Sequence, residues 1–167
     1  MKYLVTAQEM KQYDKNTIEH LGIPGPVLME RAALAAENFL KERFEAANVR
    51  MKVLIFAGMG NNGGDGLALA RLLAADGYET AVRLVGSQEK ATEQWKSEWQ
   101  ILQHFPVKTD SNIAIAEYNV IVDAVFGVGL CRTVEGIYAK AIEQMNLAEG
   151  YKLALDVPSG ICSDTGR

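Results

Sequence analysis

The sequence is poor in the residues on which several kinds of site depend. It has two cysteines, Cys131 and Cys162, and two histidines, His20 and His104, among 167 residues. The two cysteines form no CxxC pair, so no disulfide framework is indicated, and a zinc site lacks its usual thiolates and imidazoles. We therefore expect two free thiols, which is the usual state in a cytoplasmic protein.

Long apolar runs and an excess of basic charge are also lacking. No apolar run is long enough to span a bilayer, and the first residues lack the apolar segment of a signal peptide. The chain has 17 basic and 21 acidic residues, for a net charge of -4, which argues against a nucleic-acid-binding surface. Hydrophobic residues make up 49% and charged residues 23%, as in globular domains. We expect a single domain over residues 1–167, without a membrane or nucleic-acid partner.

The first 46 residues read as two helices. Thr6 and Glu9 match a capping box, which predicts a helix from about Ala7. A second helix is predicted over residues 27–44. Its apolar stripe consists of Leu28, Ala32, Ala35 and Phe39. We expect both helices to pack against the rest of the domain or against a partner subunit.

From Val53 onward, strands alternate with helices. Four apolar runs read as strands. The first two begin at Val53 and Thr80, and the third and fourth end near Asp123 and Asp156. Helices are predicted between them, over residues 64–75, over residues 89–104 and around residues 137–145. This alternation predicts an α/β fold with a mostly parallel sheet and helices on both faces.

In a parallel sheet, the carboxyl ends of the strands lie along one edge, where ligands bind. Three segments that follow predicted strands should therefore converge at that edge. They carry Asn62, Asp65, Asp123, Asp156 and Ser159. This convergence is the main argument for a site, because each residue alone is also typical of a turn or a helix cap.

The glycine-rich corner allows two interpretations. Gly58, Gly60 and Gly63 satisfy GxGxxG after a strand, which is typical of a phosphate cradle but weak on its own. A tight strand-to-helix turn explains the same glycines. The segment from Gly127 to Thr133 likewise reads either as a second contact for a phosphate or sugar, or as a flexible surface loop.

Several enzyme classes do not fit these loops. The second strand ends in Leu84 and Val85 with no acid for a ribose, unlike a nicotinamide dehydrogenase. No lysine follows the glycines as in a Walker loop, and Ser159 has no histidine near it in sequence. A set of oxygen ligands remains, and it suits a hard cation. The candidate side chains are Asn62, Asp123 and Ser159, together with backbone carbonyls.

Three motifs then identify a family. The segments GNNGGDGLALARLL, VDAVFGVGLCRTVEGIY and ALDVPSGICSDTG, in this order and preceded by LMERAA, closely resemble the NAD(P)H-hydrate epimerases, or YjeF-type amino-terminal domains. The resemblance implies a three-layer αβα Rossmann-like fold with two extra amino-terminal helices. It also implies a repair isomerase that interconverts the R and S epimers of hydrated NADH and NADPH, NADHX and NADPHX.

The resemblance also implies roles for individual residues. Substrate contacts are expected from Asn61, Asn62, Gly63, Gly64, Asp65, Gly127, Val128, Gly129, Leu130, Cys131, Arg132, Thr133 and Asp156. A potassium ion would be bound by Asn62, Asp123 and Ser159. Asp156 is the candidate catalytic acid–base, although it could instead fix the turn at Pro158 to Gly160.

The resemblance extends to partners. It implies a homodimer and a functional link to an NAD(P)H-hydrate dehydratase, which is fused to the epimerase in some family members. Because the family usually continues beyond the DVPSG loop, we expect a domain truncated at its carboxyl end. The alternative function is a non-catalytic nucleotide-binding or protein-interaction module of the same fold.

Overall fold

The fold is built on a four-stranded sheet, seen in a computed structural model that describes residues 5–110, 113–130 and 132–166. The strands are β1 (Lys52–Ala57), β2 (Glu79–Leu84), β3 (Val120–Ala124) and β4 (Tyr151–Ala154). Their order is β2-β1-β3-β4, and every neighbouring pair is parallel. The predicted parallel sheet is confirmed, and the carboxyl ends of all four strands lie along one edge.

In the part of the chain that the structure describes, five α-helices accompany the sheet. They are α1 (Ala7–Glu19), α2 (Gly25–Ala46), α3 (Asn61–Ala75), α4 (Glu93–Leu102) and α5 (Gly136–Leu147). The predicted capping box at the start of α1 is present, since Thr6 and Glu9 bond reciprocally. The expected start of α4 at Glu89 is wrong. Residues 88–90 form a short 3₁₀ turn, and the Thr92 side chain caps the helix by accepting from Trp95 N–H.

Burial on both faces explains why β1 is uniformly apolar. Residues 53–57 are fully buried, as expected for a strand covered on two sides. One apolar cluster joins the sheet to α2, α3 and α4, and a second joins its other face to α5. The three-layer α/β architecture is therefore confirmed.

The structure corrects the orientation of α2. Its buried face is formed by Met29, Ala33, Glu37 and Leu40. The predicted stripe lies one residue away, so Ala32, Ala35 and Phe39 are exposed and Leu28 is half-buried. Apolar residues occur on both sides of this helix, and periodicity alone does not choose between them. Packing of the predicted stripe against the rest of the domain is therefore wrong, and its packing against a partner subunit stays a prediction.

Among the described residues, no helix combines the length and the apolar character needed to cross a membrane.

Candidate functional site

The glycine-rich corner is a strand-to-helix junction of very close packing. Helix α3 begins at Asn61, three residues before its expected start at Gly64, so the predicted loop is partly the first turn of the helix. A Cβ on Gly63 would overlap the Gly58 carbonyl oxygen, and one on Gly58 would overlap the Val125 carbonyl oxygen. Gly58 and Gly63 thus have a packing reason. Of the three glycines in the GxGxxG pattern, Gly60 alone has open space where a side chain would be.

Asp123 and Ser159 form the centre of the predicted edge. Asp123, at the end of β3, accepts from Ser159 N–H at 2.7 Å through Oδ2 and from Ser159 O–H at 2.6 Å through Oδ1. Asp123 Oδ1 also accepts from Val125 N–H at 3.1 Å. Ser159 is buried, with 7% of its surface exposed. Its bonds to Asp123 therefore connect the loop after β4 to the end of β3 inside the protein.

Asn62 joins the glycine-rich corner to the same pair. Its Nδ2 donates to the Phe126 carbonyl oxygen at 2.8 Å, and Phe126 N–H donates to Ser159 Oγ at 2.9 Å. Asn62 Oδ1 is buried and has no hydrogen-bond partner among the described residues. A buried oxygen without a donor requires an explanation, such as an ion or a water molecule. Phe126 contributes through its backbone, which side-chain motifs do not reveal.

Asp156 links β4 to the loop after β3. It is exposed, and its Oδ2 accepts from Val128 N–H at 2.8 Å. A Cβ on Gly127 would overlap this carboxylate, so a side chain at that position would displace it. Asp156 is thus held by the neighbouring loop. The backbone N–H of Ser159, within the turn at Pro158 to Gly160, is bound by Asp123 instead.

These bonds confirm the predicted convergence for four of its five residues. Asn62, Asp123, Asp156 and Ser159 come from three segments far apart in sequence and are linked by hydrogen bonds through residues 126–128. Asp65 is not part of this network and lines a separate cavity. The geometry follows from the parallel sheet, as expected. The roles assigned to these residues stay a prediction.

Five of the expected substrate-contacting residues line two separate cavities. Leu130, Arg132 and Thr133 line a cavity of about 850 Å³ beside α5. Asn61 and Asp65 line a smaller one of about 240 Å³ between α3 and the amino-terminal helices. Gly64 packs against Met29, and Gly129 is exposed. Cys131, also predicted to contact substrate, lies outside the described residues.

The smaller cavity contains residues that sequence reasoning missed. Asp14 from α1, Met29 from α2 and Gln94 from α4 face it together with Asp65. Burial, followed by the charges of Asp156, Glu98 and Asp14, raises the pKa of Asp65 to about 7. Nothing in the sequence of α1 singled out Asp14, because its placement depends on how α1 docks on the domain.

The donor set around Asn62 fits a hard cation better than a transition metal. Within the described ranges, no group of three His, Cys, Asp or Glu side chains is arranged to bind a metal ion. The oxygens present are one carboxylate, one hydroxyl, one amide and the Phe126 carbonyl. Carboxylate, hydroxyl, amide and carbonyl oxygens suit a hard cation.

A family model described as YjeF-related protein N-terminus matches residues 25–167 of the chain. Proteins named NAD(P)H-hydrate epimerase are similar over nearly its whole length. The one from Limosilactobacillus fermentum is 42% identical over 163 residues, covering 97% of this chain and 77% of the relative. The one from Levilactobacillus brevis is 44% identical over 169 residues, covering 99% and 76%.

A solved structure shares the fold. The crystal structure of the yeast protein ynu0 (YNL200c) matches with a TM-score of 0.84 and 26% sequence identity. The match covers 98% of this chain and 74% of the yeast chain.

Proposed function

The chain belongs to the family described as YjeF-related protein N-terminus, and on this premise we propose that it is an NAD(P)H-hydrate epimerase, an isomerase. Its substrates are NADHX and NADPHX, reduced nicotinamide nucleotides that carry a hydroxyl at C6 of the ring. The reaction interconverts their R and S epimers. The observation that carries this proposal is the hydrogen-bonded convergence of Asn62, Asp123, Asp156 and Ser159 at one edge of the sheet.

Substrate binding is assigned to the two sides of this edge. One side consists of residues 127–130, Arg132 and Thr133 with the larger cavity, and Arg132 is a cation that can bind phosphate there. The start of α3, with Asn61 and Asp65, forms the other side. Backbone N–H groups at the start of α3 add partial positive charge for an anionic group.

Potassium is the cofactor we propose for the oxygen set of Asn62, Asp123 and Ser159. The support is chemical: Asn62 Oδ1 is buried without a donor among the described residues, and hydrogen bonds link Asn62 through Phe126 to Ser159 and Asp123. When bound, the ion supplies positive charge near the anionic substrate and cross-links the three segments.

Asp156 is the proposed catalytic acid–base. Epimerisation at C6 needs no redox change, because either loss of water or ring opening to an aldehyde removes the stereocentre. Both routes require a proton to move to or from oxygen or nitrogen. Asp156 is exposed at the edge, and Val128 N–H fixes one of its oxygens, so the other is available to the substrate. Such proton transfer typically contributes about 10²–10⁴-fold to the rate.

Chiral chromatography of R-NADHX and R-NADPHX, incubated with the protein, tests this function. We expect conversion toward the epimeric equilibrium faster than in buffer. Asp156→Asn should reduce kcat by about 10²–10⁴-fold while leaving folding intact. A wild-type rate equal to the uncatalysed rate would refute the function, and full activity of Asp156→Asn would remove this residue from the mechanism.

The remaining predictions concern partners and location. We propose a homodimer and a functional partnership with an NAD(P)H-hydrate dehydratase, which consumes one epimer. We expect the protein to act in the cytoplasm, where NADH and NADPH are used. The alternative of a non-catalytic module has less support, because the acids and glycines that such a module is free to lose are all present.

A further inference from the structure

Asp65 is a half-buried carboxyl group to which the mechanism above gives no chemical task. It lies in the second turn of α3 and lines the cavity of about 240 Å³ between α3 and the amino-terminal helices. Within the described ranges, its carboxyl makes no hydrogen bond and no ion pair. A structural carboxyl is usually paired or capped, so this one is available to a molecule entering the cavity.

The charged groups around Asp65 are mostly acidic. Asp14 faces it from α1, Glu98 from α4, and Asp156 from the loop after β4. Arg71, the nearby cation on α3 itself, is occupied by ion pairs with Glu30 and Glu98. Burial and these like charges keep the pKa of Asp65 near 7, so at neutral pH much of the protein carries a proton on this carboxyl.

Asp156 has a different environment. It is exposed to water, and its Oδ2 accepts a hydrogen bond from Val128 N–H. Carboxyl pairs in unlike environments are commonly divided between the acid and the base role of a reaction.

The sheet places these two carboxyls on different sides of the edge. Asp65 follows β1 and Asp156 follows β4, with β3 between these strands. Both segments leave the carboxyl edge of the sheet, which brings Asp65 and Asp156 near enough for the charge of Asp156 to act on Asp65.

We propose that Asp65 is the second catalytic carboxyl of the epimerase and works opposite Asp156 on the two faces of the hydrated ring. This inference rests on the proposed function. The Asp65 carboxylic acid donates its proton to the C6 hydroxyl. The C6–O bond breaks, water leaves with the bonding electrons, and the ring-nitrogen lone pair forms the C6=N1 bond.

The reverse step on the opposite face completes the inversion. A second water adds to C6 while Asp156 accepts one of its protons, and the C6=N1 electrons return to nitrogen. One water leaves and one is added, and one proton passes from Asp65 to Asp156. Solvent returns both groups to their starting states, and the S-to-R direction uses them in exchanged roles.

Asp65→Asn tests the proposal, because asparagine keeps the size of the side chain and removes its transferable proton. We expect kcat for R-NADHX to fall by about 10²–10⁴-fold, with KM changed only a few-fold. In the wild type, kcat in the R-to-S direction should decline as pH rises through about 7, where Asp65 loses its proton. The residual rate of Asp65→Asn should lack this decline.

Two further readouts separate chemistry from structure. In water enriched in oxygen-18, the proposed route places one solvent oxygen on C6 per inversion, whereas ring opening and closure break no C–O bond.

Urea unfolding tests the protonation of Asp65 without turnover. Folding raises the pKa of Asp65 above its ordinary 3.8. As pH rises from about 4 to about 7, Asp65 ionises more readily in the unfolded state, so the free energy of unfolding falls. The wild-type urea midpoint should therefore fall relative to that of Asp65→Asn over this range.

The outcomes distinguish this inference from the proposed function. A wild-type protein that leaves both epimers at the uncatalysed rate overturns the function and this inference with it. An active wild type together with an Asp65→Asn variant within twofold of its kcat overturns the inference alone. The same holds if both proteins share one pH profile, or if C6 retains its original oxygen.

Discussion

At the scale of single residues, Asn62 Oδ1 gives the sharpest test of the proposed potassium site. The oxygen is buried and has no donor among the described residues, so a bound cation should stabilise the folded state. At a potassium concentration ten times its Kd, the gain is about 1.4 kcal/mol, which raises Tm by about 3–6 °C in a domain of this size. We expect a higher Tm in potassium chloride than in tetramethylammonium chloride, measured by scanning calorimetry at equal ionic strength.

A neighbouring asparagine provides the matched control. Asn62→Ala should abolish the difference between the two salts, whereas Asn61→Ala should keep it, since Asn61 is exposed and has no part in the oxygen set. Asn62→Ala also loses the bond to Phe126, so its Tm falls in both salts. An identical wild-type Tm in both salts would remove the ion from the site.

At the scale of secondary-structure elements, helix propensity and packing predict opposite effects of a glycine-to-alanine substitution at the start of α3. Replacing a glycine by alanine inside a helix ordinarily stabilises it by about 0.5–1 kcal/mol. At Gly63, however, the new Cβ would overlap the Gly58 backbone, and overpacking typically costs about 1–3 kcal/mol or more. We therefore expect Gly63→Ala to lower the free energy of unfolding by at least about 1–2 kcal/mol in urea titrations.

Gly60→Ala is the control for this element. Gly60 is the N-cap of the same helix, its φ is -93°, and a Cβ there meets nothing within 4 Å. The variant loses only the modest preference for glycine at the N-cap, so its stability should change by less than about 1 kcal/mol. Equal effects of the two substitutions would mean that the junction is not tightly packed.

The same elements show how much the sequence predicts. Buried strands have a pattern that does not depend on their partners, and the alternation with helices fixes which ends meet, so the convergence of Asn62, Asp123 and Ser159 was predictable. The first residue of α3 was not predictable, because helix propensity alone assigns a run of glycines to a loop. Gly63 is helical here because only glycine fits against Gly58.

Contacts between distant elements escaped prediction for a related reason. Asp14 reaches the cavity of Asp65 only because of the way α1 docks, and α2 has apolar residues on two sides. Periodicity identifies an apolar face but does not say what covers it. The structure resolved that choice in favour of Met29, Ala33 and Leu40.

At the scale of the whole molecule, the face of α2 turned away from the core supports the proposed homodimer. Phe39 is 47% exposed, and Val27 and Leu34 on the same helix are 45% and 37% exposed. Large apolar side chains that recur along one exposed helix favour a protein interface. We expect light scattering after size exclusion to give twice the 18.3 kDa of the chain. Phe39→Glu should shift the mass toward the monomer, because dimerisation would bury an unpaired carboxylate.

Leu147→Glu is the matched control for the dimer. Leu147 is 77% exposed at the end of α5, which packs on the face of the sheet opposite α2. The same charge placed there should leave the mass unchanged, since it is far from the proposed interface. A monomeric wild type at micromolar concentration would refute the homodimer, and a mass equally reduced by both variants would place the interface elsewhere.

Because Asp65 and its cavity lie beside α2, kcat should also be compared above and below the dimer dissociation constant. Dissociation that lowers kcat would show that the amino-terminal helices support the site from the dimer interface.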